Sequence, residues 1–219
     1  MRRLADVDVI KSSGIAATAM TLLCYPRLAL WPTRPYSLWY LEANLFVGSF
    51  VLWAFVFAWH TKYSGRPVFT LKISPASFTL ASLTGMVAAV SVQWLMDPTL
   101  RARTPEDYPA STQEWIAKTL FDLAFWQLFL TFAPFAWLMR LFRNQSIAIA
   151  LTVLLGLVVL ILKIRSSPIP VPTTLFVALV VFRIAGGLLA IAFYLRGGVV
   201  LVSWWTFLVQ LRLLFGIQH

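Results

Sequence analysis

The sequence predicts an all-α polytopic membrane protein, a transmembrane helical bundle of six or seven spans. Three observations carry this. Hydrophobic residues make up 60% of the 219 and charged residues only 12%, about half the ~25% of a soluble domain. The apolar residues fall in blocks of about 18 or more, the length a helix needs to cross hydrocarbon. Lys and Arg gather at the ends of those blocks, where they anchor helices and set orientation. The net charge of +10 therefore reads as membrane anchoring. With no basic arm and no interleaved aromatic–basic surface, a nucleic-acid partner is excluded. Cys24 is the one cysteine, so no intrachain disulfide forms. His60 and His219 are the only histidines, too few for a His/Cys metal site, and no cofactor is expected.

The whole chain reads as a single integral membrane domain, 1–219. Span one, 13–31, is the weakest, because Pro26 and Arg27 interrupt it; it is either a kinked span or a re-entrant segment. The apolar block lacks a small-residue cleavage site and is read as retained, not as a signal peptide. Span two, 37–60, places Trp39, Tyr40 and Trp59 where an interfacial belt belongs. A polar link with Lys62, Gly65, Arg66, Pro67 and Lys72 leads to span three, 75–95. Its Ala, Ser and Gly85 favour close helix packing. The segment Asp97 to Glu114 holds four of the eight acidic residues and three prolines. Span four, 117–139, carries Pro134 as an expected kink and ends on Arg140 and Arg143. Span five is 147–164. The Pro-rich link RSSPIPVP precedes span six, 173–195. Gly197-Gly198 then turns into span seven, 199–217.

Seven spans put the termini on opposite sides. Nine Lys and Arg then face the N-terminal side and seven the other, which leaves the orientation open.

An ionisable side chain inside a span costs about 2.5–3.5 kcal/mol on insertion scales and so needs a reason. Arg183 sits near the centre of span six. Gln210 lies at similar depth in span seven, and Gln127 and Thr131 lie four apart on one face of span four. These four form either a functional site or a hydrogen-bond network that glues helices. The network reading makes Arg183 an internal pin, bonded to Gln127, Thr131, Gln210 or carbonyls freed by Pro134. Asp122 has Lys118 one turn earlier, an i,i+4 pair, and Arg183 could reach it only across most of a leaflet. Glu42 lies near the interface end of span two. Arg212 lies near the end of span seven and can snorkel. His60 reads as interfacial and Trp204-Trp205 as packing or lipid contact.

Residues 117–217 resemble the CAAX-processing and bacteriocin-processing family of intramembrane proteases, the type II CAAX endopeptidases. That family's first motif is Glu-Glu-x-x-x-Arg; here Trp126, Gln127 and Thr131 stand in its place, followed by WLMRLFRN. The second is Phe-x-x-x-His; here LLGLVVL puts Leu155 and Val159 in those positions. The third region is matched in frame by GLLAIAFYLRGGVVLVSWWTFLVQ, with Phe207 at the His and Gln210 at the Asn. The resemblance implies a four-helix core in which a glutamate activates water. This chain has neither glutamate, nor the arginine, nor either histidine. A glutamine cannot take a proton from water near neutral pH, so no catalytic residue is assigned. The resemblance implies a pseudoenzyme in a prokaryotic cytoplasmic (inner) membrane. It would act as a scaffold or small subunit of a membrane complex. It would bind membrane lipid, another subunit's helix or a hydrophobic ligand. The alternatives are an unrelated polytopic subunit of a transporter or energy-transducing assembly, and a hydrolase built on Glu42, Asp122 and His60. The pseudoenzyme reading requires Gln127, Val159, Phe207 and Gln210 to converge on one cavity.

Overall fold

A computed structural model describes residues 7–31, 35–60, 67–166 and 170–217. Arg2, Arg3, Arg34, Lys62, Gly65, Arg66, residues 167–169 of the Pro-rich link and His219 lie outside the described residues. The helices are α1 (Val7–Ala29), α2 (Leu38–Trp59), α3 (Pro75–Leu95), the short α4 (Asp97–Arg103), α5 (Thr112–Phe142) and α6 (Gln145–Ser166). A last helical stretch, Thr173–Gln210, runs into a 3-10 turn at Leu211–Gly216. Six stretches are long and apolar enough to cross a membrane.

The last stretch is a hairpin of two rods. Gly198 has φ 65° and ψ −158°, a region that only glycine enters freely. The Trp205 ring lies 3.7 Å from the position a Cβ on Gly186 would take. A straight helix would separate residues 19 apart by ~28 Å. The chain therefore doubles back at Gly198 into α7 (173–197) and α8 (199–210). With its 3-10 extension, α8 is ~30 Å long, enough to match the hydrocarbon core. The described residues thus contain seven long rods.

Local chemistry sets the boundaries. Ser37, Ser74 and Ser111 cap α2, α3 and α5 by accepting the backbone N–H three residues on, at 3.3, 3.2 and 3.2 Å. Asn144 caps α6 through Ile147 N–H at 3.1 Å. Arg143, at φ 53°, ends α5 in the left-handed conformation, so α5 and α6 are joined by a link of only two residues, Arg143 and Asn144.

Two expected breaks take another form. Helix α1 runs unbroken through Pro26, and Leu30 N–H reaches the Pro26 carbonyl at 3.0 Å. Pro26 sits in the last turn, where its ring can redirect only the few residues that follow, so α1 is neither re-entrant nor split. At Pro134 the helix also continues. Two wide π-turn segments, Asp122–Trp126 and Leu128–Phe132, precede the proline. Ala133 N–H reaches back to the Leu128 carbonyl, so one extra residue fits into that turn.

The core lies where α2, α5, α7 and α8 meet, around Val56, Phe132, Phe135, Ile191, Phe193, Leu201 and Val202. Trp59 belongs to this core, packed on Phe135 and Tyr194, and is not part of an interfacial belt as expected; Trp39 is 82% exposed. Gly85 lets α3 close on α8: a Cβ there would meet Leu208 at 3.1 Å and Trp205 at 3.3 Å. Trp204 stacks on Phe78 and donates to Ser82 Oγ at 2.9 Å.

Contacts at the helix ends define two faces. At face A, Val199 N–H bonds the Val68 carbonyl at 3.2 Å, and His60 Nε2 meets Tyr194 Oη at 2.8 Å. His60 is therefore a buried, hydrogen-bonded group and not an interfacial one. At face B, Arg212 Nε pairs with Asp97 Oδ2 at 3.2 Å, and Tyr108 Oη donates to Asp97 Oδ1 at 2.8 Å. Arg101 donates to the Gly216 carbonyl at 2.9 Å. Arg212 is thus locked in a largely buried pair and does not snorkel freely.

A Cβ at Gly198 would lie 2.6 Å from the Val68 carbonyl oxygen, whereas one at Gly48 in α2 meets nothing within 4 Å. Gly198→Ala is expected to destabilise by ~1–3 kcal/mol. Gly48→Ala should stabilise by ~0.5–1 kcal/mol. Thermal unfolding of the two variants in detergent compares them directly; equal shifts would refute the hairpin geometry.

Candidate binding cleft

Helix α6 is covalently tied to the end of α5 at face A. Its close contacts with α5 run along 128–142; away from that turn it leans instead on α7. The two helices form a wedge that opens toward face B, and two adjoining cavities occupy it. The deeper one, of about 200 Å³, lies among Gln127, Thr131, Thr152, Gly156, Arg183 and Trp205. The outer one, of about 340 Å³, shares Gln127, Gly156, Arg183 and Trp205 and adds Asp122, Val159, Lys163, Thr206 and Gln210. A third, of about 250 Å³, continues from Leu160 and Lys163 to the face-B surface, beside Arg103, Asp107, Tyr108, Lys118 and Arg212.

The depth of this cleft follows from helix lengths. Arg183 lies ten residues into α7, ~15 Å along its axis. Gln127 is the middle residue of α5, and Gly156 is central in α6. All three lie at mid-bilayer depth. The π turns bracket Gln127 and widen the helix there.

The polar side chains of the cleft bond mostly to one another. Gln127 Nε2 donates to Thr206 Oγ1 at 2.8 Å, and Thr131 Oγ1 donates to Gln127 Oε1 at 3.2 Å. Gln210 Nε2 donates to Asp122 Oδ2 at 2.7 Å. Lys118 Nζ stands 3.6 Å from the same oxygen, the i,i+4 pair the spacing predicts. Thr152 donates to the Ala148 carbonyl at 2.7 Å. Asp122 is buried and held from two sides.

Arg183 breaks the pattern. Its guanidinium makes no hydrogen bond or ion pair to any described residue. The internal pin is therefore not formed: Gln127 bonds to Thr131 and Thr206, and Gln210 turns its Nε2 to Asp122 and leaves its Oε1 without a partner. The guanidinium lies against Gly156 instead. A Cβ on that glycine would fall 2.6 Å from Nη2 and 2.7 Å from Nε. Arg183 lines both inner cavities, half-buried, and presents its charge to them.

Of the motif positions, Trp126, Gln127, Val159 and Gln210 line the outer cavity. Phe207 does not join them; it packs on Trp115 and Trp204. Leu155 lines neither inner cavity. Glu42 is buried in the bundle, and its Oε1 has no hydrogen bond, so it does not reach the interface. Sequence reasoning missed Gly156, Thr206 and Lys163. Gly156 carried a signal: it is the one glycine of a 22-residue apolar helix, where glycine costs about 1 kcal/mol against alanine and calls for a reason.

At the mouth, Lys163 Nζ pairs with Asp107 Oδ2 at 2.7 Å. Burial pushes the Asp107 carboxyl upward, but the hydrogen bond and charge of Lys163, helped by Lys118 and Thr104, outweigh it and leave it below its ordinary 3.8. The folded form therefore gains from this group above pH 3.8, and the gain is lost as pH falls through the lowered value. Burial, then the hydrogen bond and charge of Asp97, pushes the Tyr108 phenol up.

The two arginines should respond oppositely to substitution. Arg212→Leu strands Asp97, only 2% exposed, and is expected to cost roughly 3 kcal/mol. Arg183→Leu strands nothing. It should leave stability unchanged or raise it, by no more than the ~2.5–3.5 kcal/mol insertion cost of a central arginine. Thermal unfolding in detergent checks both; a loss at Arg183→Leu comparable to Arg212→Leu would show a structural partner for Arg183.

Comparison of the chain with protein-family models, with curated proteins and with solved structures found no match.

Proposed function

We propose that this chain is a non-catalytic binding protein of the membrane, whose wedge between α5 and α6 receives a hydrophobic ligand or a partner segment. The observation that carries the proposal is the cleft itself, which runs from face B to mid-bilayer depth between walls of mixed polarity. A gap of this kind inside a membrane bundle forfeits packing contacts, and a binding role accounts for it.

The chemistry of the lining supports binding over bond cleavage. The acid nearest the cleft, Asp122, is occupied by Lys118 and Gln210. The amide at Gln127 is neutral and lacks a basic site. Gln127, Val159 and Gln210 share one cavity, as a degenerate CAAX-type protease core would have them. In that reading the scaffold is kept and the chemistry is lost. Phe207, turned onto Trp115 and Trp204, favours the second reading, an unrelated subunit of a larger membrane assembly. Both readings use the same cleft.

Photo-crosslinking tests the proposal in native membranes. Benzoylphenylalanine at Val159, in the cleft, is expected to capture a discrete adduct. The same probe at Leu154, on the exposed side of α6 at 52%, should give only diffuse bulk-lipid adducts. Indistinguishable patterns would overturn the binding role. Purified protein should also leave prenylated peptides uncut; cleavage lost on Asp122→Asn or Glu42→Gln would restore the hydrolase reading.

A further inference from the structure

We propose that Arg183 is an anion-binding centre, and that the cleft's ligand is an anionic amphiphile whose phosphate or carboxylate head enters from face B. The inference rests on the cleft being a binding site and names what it holds.

The first support is the isolated charge. At mid-bilayer depth a guanidinium must meet acceptors, since hydrocarbon supplies none. Arg183 has no hydrogen bond or ion pair among the described residues. Gln127 Oε1 accepts from Thr131, and Asp122 is held by Lys118 and Gln210; Gln210 Oε1 is an open acceptor in the cleft, but the guanidinium does not bond to it. The planar fork of five N–H donors matches a phosphate or carboxylate, which it can bind in bidentate fashion. Gly156 keeps that fork uncovered, because any Cβ there would collide with it.

The second support is the route. The face-B cavity and the outer cavity share Lys163 and Leu160; the outer and inner cavities share Arg183. Arg103, Lys118, Lys163 and Arg212 line the mouth with Asp107. Arg212 is paired with Asp97, Lys118 with Asp122 and Lys163 with Asp107, and Arg103 has no carboxylate partner among the described residues. An anionic head entering at face B meets cations at the opening, Lys163 on the way and Arg183 at the end. It never has to cross bare hydrocarbon.

The third support is size and wall chemistry. The side walls include Trp126, Leu130, Val159, Trp205 and Val209, which suit an acyl or prenyl chain better than a hydrated free ion. A transmembrane helix ~10 Å across and ~30 Å long displaces on the order of 2,000 Å³. The cavities of about 200 and 340 Å³ hold a head and part of a chain, not an acidic partner helix.

Native mass spectrometry of the purified full-length chain in detergent tests this with dioctanoyl phosphatidic acid, dioctanoyl phosphatidylcholine and inorganic phosphate. The wild type should bind phosphatidic acid at least ~10-fold tighter than phosphatidylcholine, and inorganic phosphate in excess should not displace it. Arg183→Gln should abolish the preference; Arg183→Lys, which keeps the charge, should retain part of it. Val159→Trp fills the cleft away from Arg183 and should remove saturable binding of both lipids. An Arg183→Gln protein of wild-type elution and unfolding behaviour that keeps the preference overturns the anion site; the cleft reading then stands if Val159→Trp still blocks both lipids. Should Arg183→Gln fail to fold, an unaltered preference in Arg183→Lys together with Lys163→Gln overturns it equally. Displacement of phosphatidic acid by inorganic phosphate identifies a free-anion site and overturns the amphiphile. Lipid binding indifferent to Val159→Trp overturns both the ligand and the cleft.

Discussion

The bundle depends on the return of α8 into it at Gly198. Without that reversal the last 44 residues, Thr173–Gly216, would form one rod far longer than a bilayer is thick. The Gln127–Thr206 and Gln210–Asp122 bonds of the cleft would then be lost. The reversal is possible because Gly198 takes a backbone conformation closed to other residues, and because the N–H freed at Val199 finds the Val68 carbonyl. In lipid an unpaired backbone donor has no solvent to fall back on, so the turn and its acceptor form together. The returned helix supplies Leu201 and Val202 to the core, and Trp205, Thr206 and Gln210 to the cleft.

Set beside this, the intramembrane polar groups divide into two kinds. Gln127 with Thr131 and Thr206, Gln210 with Asp122 and Lys118, and His60 with Tyr194 close on one another across helices. Such bonds are worth about 0.6 kcal/mol each on average in membrane proteins, enough to fix helix rotation though not to hold the bundle alone. Arg183 belongs to neither a pair nor a network. Two further polar atoms of the same cleft, Trp205 Nε1 and Gln210 Oε1, are buried without partners, and local violations of this kind mark function more often than error.

Much of this fold was legible in the sequence, for a definable reason. Block length against bilayer thickness is a one-dimensional property, so the spans fell close to their helices, and Gly197-Gly198 announced the hairpin. The depth of Arg183, Gln127 and Gln210 was legible too, since depth is residue count multiplied by rise. Helix rotation and tilt were not. Whether Gln127 turns to Arg183 or to Thr206 depends on a few tens of degrees of rotation, which the π turns near Pro134 alter and no periodicity records. The same phase placed Val159 in the cleft and Phe207 outside it. Pro26 misled because a proline in the last turn of a helix has only a few residues left to redirect. Glu42, Trp59 and His60 were assigned to the interface by their position near helix ends, but the neighbouring helices extend past them and bury them.

The wedge has a physical origin that links these points. At face A the left-handed Arg143 and the Asn144 cap make a two-residue link between α5 and α6, so the two helices start in contact. Wide turns from Asp122 to Phe132 then broaden α5 where straight helices would continue to pack. Gly156, facing that region, offers no side chain to close the gap, and the guanidinium of Arg183 occupies the room it leaves. At face B the far end of α6 is tied across to the Asp97–Glu114 segment by Lys163 and Asp107, whose side chains remain 66% and 39% exposed. An exposed pair contributes only ~0.2–1 kcal/mol. The wedge is thus fixed covalently at its apex and lightly at its mouth. That asymmetry suits the proposed entry of an anionic head from face B toward Arg183.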